Sequence, residues 1–565
     1  MYLNVLPKWE RITYWIIFIT SIAYGLYRLH VEGDKYKESF YYLVPGWPWL
    51  NREQDISDSE FSLYRDEIQL LILVNTIHII LSQMCYFLSV QVKVRICILS
   101  VYDILVINYF FGVRPFLLLL AKCILMYSIS RLGHIRLVWL AFLALMLSDI
   151  SSLTSYYKWK YLDKSSIYPY TIASGFFELS LLSFALDKIH WRTTHHPRNN
   201  VTSDNLQTQE LSSGVGNDEE GEPNFLDLVF YVFHLPKFNH GPFYPFKKFH
   251  FEVMSCFKAA TYTVNIWDIV QKLIRFMLWG IFVEFQFHYF YYSQLGFSED
   301  ILEQMSLPAV MAAGYWQGQM FMVKYVCYYG ISGQLLRFDG VIPFSNPRCI
   351  SWVYSYTDMW RYFDVGLYEF VKMYIYIPIG GSKSGYAGQL VSSAISFFFI
   401  FMWHGFYLNL FYWCLGNFIT VSLERLGQEF MKHSALGIQL QSKLSPAWQL
   451  RLHAIVLAPV YVVSCWGIFF FFFDIDVTLV IIKKMTASWL NMFLEMVVIT
   501  SAMHNALDIS MRKQAEKEIQ RQNNSDLRAT WTFVSCMLVF RELLSSSLFI
   551  WLLEVRKIGQ ELQEI

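Results

Sequence analysis

His404 lies in a run from about Ala394 to Phe418 where only Cys414 among the other side chains titrates near neutrality. A neutral imidazole held among apolar groups can take a proton, as a general base must. The same residue could equally be a packing histidine bonded to a neighbouring carbonyl, and periodicity does not separate the two. An acid about forty residues upstream, Asp364, tips the balance toward chemistry. If Met359 to Phe370 is one helix, Trp360, Asp364 and Tyr368 share a face. Arg361 is then placed to pair with Asp364, and an Arg–Asp bridge closing a re-entrant helix is the competing reading. Pro378 and Gly380-Gly381 force a turn behind this segment. Lys383, in that turn, suits an anionic headgroup or a cofactor phosphate, or serves as a plain interfacial lysine. Ionisable residues at membrane depth are costly, so each counts first as a functional candidate.

These residues need a membrane scaffold, and the composition supplies one. The 565 residues are 55% hydrophobic, 18% aromatic and only 16% charged, against roughly 25% charged in soluble domains. Lys and Arg balance Asp and Glu at 45 each, so nothing points to nucleic acid. Nine cysteines without CxxC or zinc spacing indicate neither a disulfide framework nor a zinc site. The first apolar run, about Ile12 to Leu29, lacks a small-residue cleavage site and reads as a signal-anchor.

Apolar runs follow at about 68–91, 97–112, 115–130, 136–149, 167–186, 264–289, 308–331, 390–420, 455–473 and 485–507. Several approach the ~20 residues that a span needs. The fold expected is an all-α polytopic membrane protein with about ten to twelve transmembrane and re-entrant helices. Phe225 to Phe238, short and followed by Asn239-His240-Gly241-Pro242, reads as a re-entrant piece that must be surrounded by protein. The segment 188–224 is polar and reads as a disordered loop. It holds a formal sequon at Asn200 and a solvated basic turn at His195-His196. Pro45-Gly46-Trp47-Pro48-Trp49 reads as an interfacial anchor. Residues 511–565 read as a C-terminal extension, charged at first and then apolar with Arg541-Glu542 inside, which suits an extra membrane helix with a neutralised pair, an interfacial helix or an error of the gene model.

The chain resembles the membrane-bound O-acyltransferase superfamily, whose pattern is Asp or Asn on one segment and His in an apolar helix behind it. The finer resemblance is to the branch that N-palmitoylates secreted signalling proteins of the Hedgehog type. It is carried by Leu6-Pro7-Lys8-Trp9-Glu10, Ser82-Gln83-Met84, His240-Gly241-Pro242, Val323-Lys324-Tyr325 and Leu336-Arg337-Phe338-Asp339-Gly340. Pro347-Arg348-Cys349, Met359 to Leu367, Tyr374 to Ser382 and Trp403-His404-Gly405 complete it, and it reaches about Asp508.

The resemblance implies a helical bundle around a tunnel, an acyltransferase domain over 1–510 and a catalytic core over 332–405. It implies that His404 is catalytic with Asp364 as its companion acid. Cys349 would ligate the iron of a haem b, and Trp360 and Arg361 would line the acyl-CoA tunnel. Palmitoyl-CoA would be the donor, and the N-terminal cysteine amine of a Hedgehog-type protein the acceptor. The location implied is the endoplasmic reticulum membrane, or the Golgi. A non-catalytic branch lacks the histidine that this chain keeps. Asn239-His240 reverses the usual order of that motif, which weakens a role for either side chain. The rival readings are acylation of a Ser hydroxyl or a lysophospholipid, a transporter with a His–Asp proton relay, and a silent regulator.

Overall fold

The computed structural model describes residues 5–150, 164–195, 221–238, 241–259 and 261–526. It is almost wholly helical among them. The helices are α1 (Lys8–Tyr36), α2 (Ser59–Phe87), α3 (Val92–Phe111), α4 (Val113–Arg131), α5 (Ile135–Ile150) and α6 (Lys164–His195). Then come α7 (Phe225–Phe233), α8 (Leu235–Phe238), α9 (Phe246–Lys258), α10 (Ile266–Gln286), α11 (Glu299–Gln304) and α12 (Leu307–Leu336). The remainder are α13 (Tyr356–Phe363), α14 (Val365–Val371), α15 (Gly385–Trp403), α16 (Leu408–His433), α17 (Ala435–Lys443), α18 (Pro446–Phe472), α19 (Ile475–Met485) and α20 (Trp489–Asp526).

Seven helices among the described residues, α1 to α4, α15, α18 and α20, are long and apolar enough to cross a membrane. Four more of comparable length, α6, α10, α12 and α16, carry more polar residues. Some of their polar groups are buried, among them Glu178 on α6, Gln286 on α10, Lys324 on α12 and Glu424 on α16, and such groups inside a bundle are the first functional candidates.

The long helix α12 packs against α1 and α10. Gly25 allows the first of these approaches, since a Cβ there would stand 2.9 Å from that of Ala312. α18 lies between α16 and α20, and α20 returns to α1. A two-residue Arg–carboxylate fork ties that closure: Arg451 on α18 donates from Nε to Glu10 Oε1 at 2.8 Å, and from Nη2 to Oε2.

α7 and α8 fit the re-entrant expectation, because Leu228 to Phe233 and Leu235 are all buried. The expected loop over 188–224 begins too early. α6 continues to His195, where Ile189 is buried and Trp191 stacks on His195 at 4.4 Å. Residues 196–220, with Asn200 and His196, lie outside the described residues, as do 527–565 with the apolar part of the C-terminal extension. The Trp47-Trp49 segment is the tip of a hairpin pairing β1 (Leu43–Pro45) with β2 (Glu53–Asp55). Trp47 packs on Trp49 at 5.5 Å and on His288 at 4.9 Å, while Trp49 is exposed.

Candidate active site

The polar centre is built from two broken helices. Ser355 caps α13 by accepting from Asp358 N, and Glu424 of α16 reaches the same end, accepting from Tyr356 N at 2.7 Å. The helix stops at Phe363. Asp364 adopts an extended backbone (φ −120°, ψ 92°) and its carboxylate caps α14 by accepting from Leu367 N at 2.9 Å. Gly366 is required here, since a Cβ would lie 2.0 Å from the carbonyl oxygen of Phe243. The Gly241-Pro242 motif thus has a packing role: a Cβ on Gly241 would strike Ser332 and the carbonyl of Lys237. His240 and Asn239 lie outside the described residues.

The single helix expected from Met359 to Phe370 is therefore two, and the Arg361–Asp364 pair does not form. Arg361 bonds Asp358 at 3.3 Å, one turn back on its own helix. Asp364 faces the other way, where Tyr329 of α12 donates to Oδ2 at 2.6 Å. The capping demand of α14 orients the carboxylate, and the i, i+3 spacing to Arg361 has no say once the helix is interrupted.

The second break follows α15. His404 stands at its C-terminus rather than mid-helix, and Gly405 (φ 106°) and Phe406 (φ 60°) turn the chain into α16. Trp403 anchors the turn by donating from Nε1 to Gly175 O at 3.2 Å. The imidazole of His404 is half-buried against Trp403, Trp413 and Phe471, at 4.7, 5.6 and 5.9 Å between ring centres. It makes no side-chain hydrogen bond among the described residues. The carbonyl-bonded packing histidine that sequence left open is absent here.

Asp364 and His404 line one cavity of about 1450 Å³, together with Trp360, Arg361 and Lys383. That exceeds the roughly 300–1,000 Å³ of ordinary small-molecule sites and suits an extended ligand. Trp360 donates to Asn417 at 3.2 Å and meets Phe397 edge-on at 5.0 Å. Four cations, Arg361, Lys372, Lys383 and Arg425, share the lining with the carboxylates of Asp364, Glu369 and Glu495. Lys372 is paired with Glu369 at 3.3 Å, and Arg425 is braced by Gln389 at 2.8 Å. Elsewhere the wall is apolar, with Ile22, Met311, Ile468 and Phe472 among its side chains.

Cys349 stands apart from this group. Its neighbours Ile350 and Ser351 line the cavity, while its own thiol is half-buried and 3.8 Å from Gln319 Oε1. The guanidinium of Arg348 lies 3.3 Å from the ring centre of Tyr362. The groups about the thiol are polar, Gln319 donating to Ser351 beside it; a cysteine thiolate is the chemistry that ligates iron from one side.

Several residues here were not singled out from sequence. Tyr329 sits in a long helix with nothing to mark it. His78, Asp103 and His234 are a second case. Together with Asp339 they form a fully buried cluster outside the cavity. His78 bonds Asp103 through Nδ1 at 2.7 Å and Asp339 through Nε2 at 3.0 Å. Ser82 donates to Asp339, and Arg95 donates to Ser82 at 2.8 Å. The Ser82 and Asp339 motifs, far apart in the chain, are thus one contact.

Residues 122–468 match the family described as MBOAT, membrane-bound O-acyltransferase. A mouse protein-cysteine N-palmitoyltransferase, HHAT, is 36% identical over 231 residues, 41% of this chain and 46% of that protein. The chain therefore spans under half of the mouse relative's length in that match. The Drosophila protein-cysteine N-palmitoyltransferase Rasp is 24% identical over 480 residues, 83% of this chain and 88% of its own. A Schizosaccharomyces pombe membrane-bound O-acyltransferase, gup1, is 24% identical over 464 residues, 74% of each.

Proposed function

Since the chain belongs to the membrane-bound O-acyltransferase family, a family of multi-pass acyltransferases, we propose that it transfers palmitoyl from palmitoyl-CoA to the N-terminal cysteine amine of a secreted, Hedgehog-type protein. The observation that carries this is the unbonded imidazole of His404 facing the same cavity as the oriented carboxylate of Asp364. The similarity to proteins named protein-cysteine N-palmitoyltransferase supports the amine acceptor. The endoplasmic reticulum membrane is the compartment that suits a secreted acceptor.

The basic groups Arg361, Lys372, Lys383 and Arg425 suit the phosphates of coenzyme A. The apolar wall, with Trp360, suits the acyl chain; burying a C16 tail offers on the order of 10 kcal/mol. An α-amine with a pKa near ~8 arrives largely as the ammonium. A carboxylate at Asp364 holds it by a charge-assisted bond, and a hydroxyl acceptor has no such need. The pair His404 and Asp364 takes one proton from the ammonium, and the amine nitrogen attacks the thioester carbonyl. As the C–S bond breaks, the second proton on nitrogen passes to the departing thiolate, releasing coenzyme A as the thiol. The enclosing aromatic rings keep water from competing. Cys349 would hold the iron of a haem b through its thiolate, a structural brace that supplies no step of the transfer.

The test is purified protein with labelled palmitoyl-CoA and a peptide beginning with Cys. Label that survives neutral hydroxylamine, and is absent from the N-acetylated peptide, supports the amide. Label that washes off, or equal labelling of the blocked peptide, overturns it. Labelling of a Ser hydroxyl or a lysophospholipid instead would favour the O-acylating reading, which the gup1 similarity keeps in view.

A further inference from the structure

We propose that the small chamber behind Tyr325 and Tyr329 is the path by which the proton released in acyl transfer leaves the site, with Glu60 as its receiving group. The inference rests on the amine-acylating reading above. A thioester and an ammonium give an amide, the thiol of coenzyme A and one proton. A hydroxyl acceptor gives an ester and the thiol, with no net proton. An amine-acylating enzyme that encloses its reacting groups therefore needs an exit that an ester-forming one does not.

Tyr325 and Tyr329 are one turn apart on α12, with ring centres 5.2 Å apart. Both line the large cavity, and both line a second chamber of about 120 Å³ beside it. That is well above the roughly 10–15 Å³ that one water needs, and Glu60, Lys237, Tyr325 and Tyr329 supply polar partners among otherwise largely apolar walls that include Phe176, Phe177 and Phe243. On one side, Asp364 has two bonds: Leu367 N, a main-chain donor that cannot relay, and the hydroxyl of Tyr329, which both donates and accepts. On the other side, Tyr325 donates to Glu60 Oε1 at 3.2 Å. Lys324 lies 2.8 Å from Glu60 Oε2 and 2.9 Å from Asp58. One ammonium between two carboxylates leaves the group one negative charge. Lys237 lines the same chamber, over the ring of Tyr231 and bonded to Ser180. Tyr328 is the remaining titratable group on the lining.

Glu60 opens α2, next to the hairpin end of the bundle, and its side chain is 16% exposed. It can release to solvent what it receives from inside. Tyr329 touches Asp364 and is a positioning residue that relays; it does not itself touch the reacting atoms.

The experiment uses full-length purified protein with labelled palmitoyl-CoA and the Cys peptide across the neutral pH range, and an indicator dye in weak buffer to count protons. Wild type should release one proton per amide. Tyr329→Phe should lower kcat about tenfold or more with both KM values nearly unchanged, the pattern of a step after binding. Glu60→Gln should lower kcat by a smaller factor, about threefold to tenfold, and the deficit should close as pH rises or as a small diffusible base such as imidazole is added. A merely structural role would move neither the pH profile nor the rescue. Glu60→Gln leaves Lys324 paired with Asp58, so it carries the test even if Tyr329→Phe fails to fold. An unchanged kcat and pH profile in Glu60→Gln overturns the proposal, as does a raised peptide KM at full kcat, which would make Glu60 a binding group. If wild type forms no amide at all, the acylation reading itself has failed; if amide forms and the variants behave as wild type, only the proton path has.

Discussion

Two histidine–aspartate arrangements sit in this bundle and they have opposite designs. Around Asp339, both nitrogens of His78 are committed to carboxylates, Ser82 and Arg95 are drawn in, and every member is sealed from solvent. Asp103 also accepts from Leu235 N at 3.3 Å, so the cluster fastens α2, α3, the start of α8 and the end of α12. Around His404 the opposite holds. The ring is wrapped by aromatic edges, makes no hydrogen bond among the described residues, and faces a cavity that also holds Asp364. In the Asp339 cluster, His234 lies against the same two carboxylates, 3.3 Å from Asp339 and 3.8 Å from Asp103, without a hydrogen bond of its own among the described residues. It is burial, with no cavity beside it among those residues, that denies this network a substrate. A polar group positioned but unsatisfied is what a ligand can complete.

The contrast can be broken most forcefully at Asp339. Asp339→Ala takes away the carboxylate that His78 Nε2 and Ser82 bond and that Arg95 faces at 3.8 Å, leaving His78 only Asp103, and removing one partner of a buried pair costs about 3–5 kcal/mol. The expected result is a large loss of folded protein, read as a drop in Tm and in the monodisperse peak on gel filtration. Next comes Asp364→Asn, which keeps a capping oxygen for Leu367 but loses the charge. Turnover should fall by about 10²-fold while Tm stays near wild type, which a turnover assay beside a thermal melt will check. Removing a phosphate-side cation is milder. Lys383→Ala or Arg425→Ala should raise the KM for palmitoyl-CoA by about tenfold and leave kcat nearly intact, the mark of lost uniform binding. At Cys349 the effect should be spectroscopic. Protein made with added haem should show a Soret band that Cys349→Ala lacks; a wild-type spectrum without the band would remove the haem, and an unchanged band in the variant would remove the ligand.

The sequence made part of this contrast legible. His404 stood out because its surroundings are nearly free of charge, and the structure leaves it unbonded. Glycines in the central motifs also had physical meaning, at the turns of Gly380 and Gly405 and at the close approach of Gly366. What sequence missed was spatial. His78 and Asp103 sit in two apolar spans, and nothing local says that they meet Asp339 more than two hundred residues later. The break at Asp364 was hidden because Trp360, Asp364 and Tyr368 keep helical spacing across it, so periodicity alone argues for one helix. The Arg361–Asp364 pair failed for the same reason. Tyr329 and Glu60 carry no motif of their own and gain a role only through what they touch.

The most direct test of the central claim pairs the two histidines in one experiment. His404→Gln and His78→Gln are purified alongside wild type, and each is measured for palmitoyl transfer per folded molecule and for Tm. The account predicts that His404→Gln melts like wild type with turnover down by about 10²-fold or more. It predicts that His78→Gln melts far lower, while the fraction that remains folded turns over within about tenfold of wild type. A His404→Gln protein that keeps turnover within about tenfold of wild type would contradict the account, because a lost general base costs more than that.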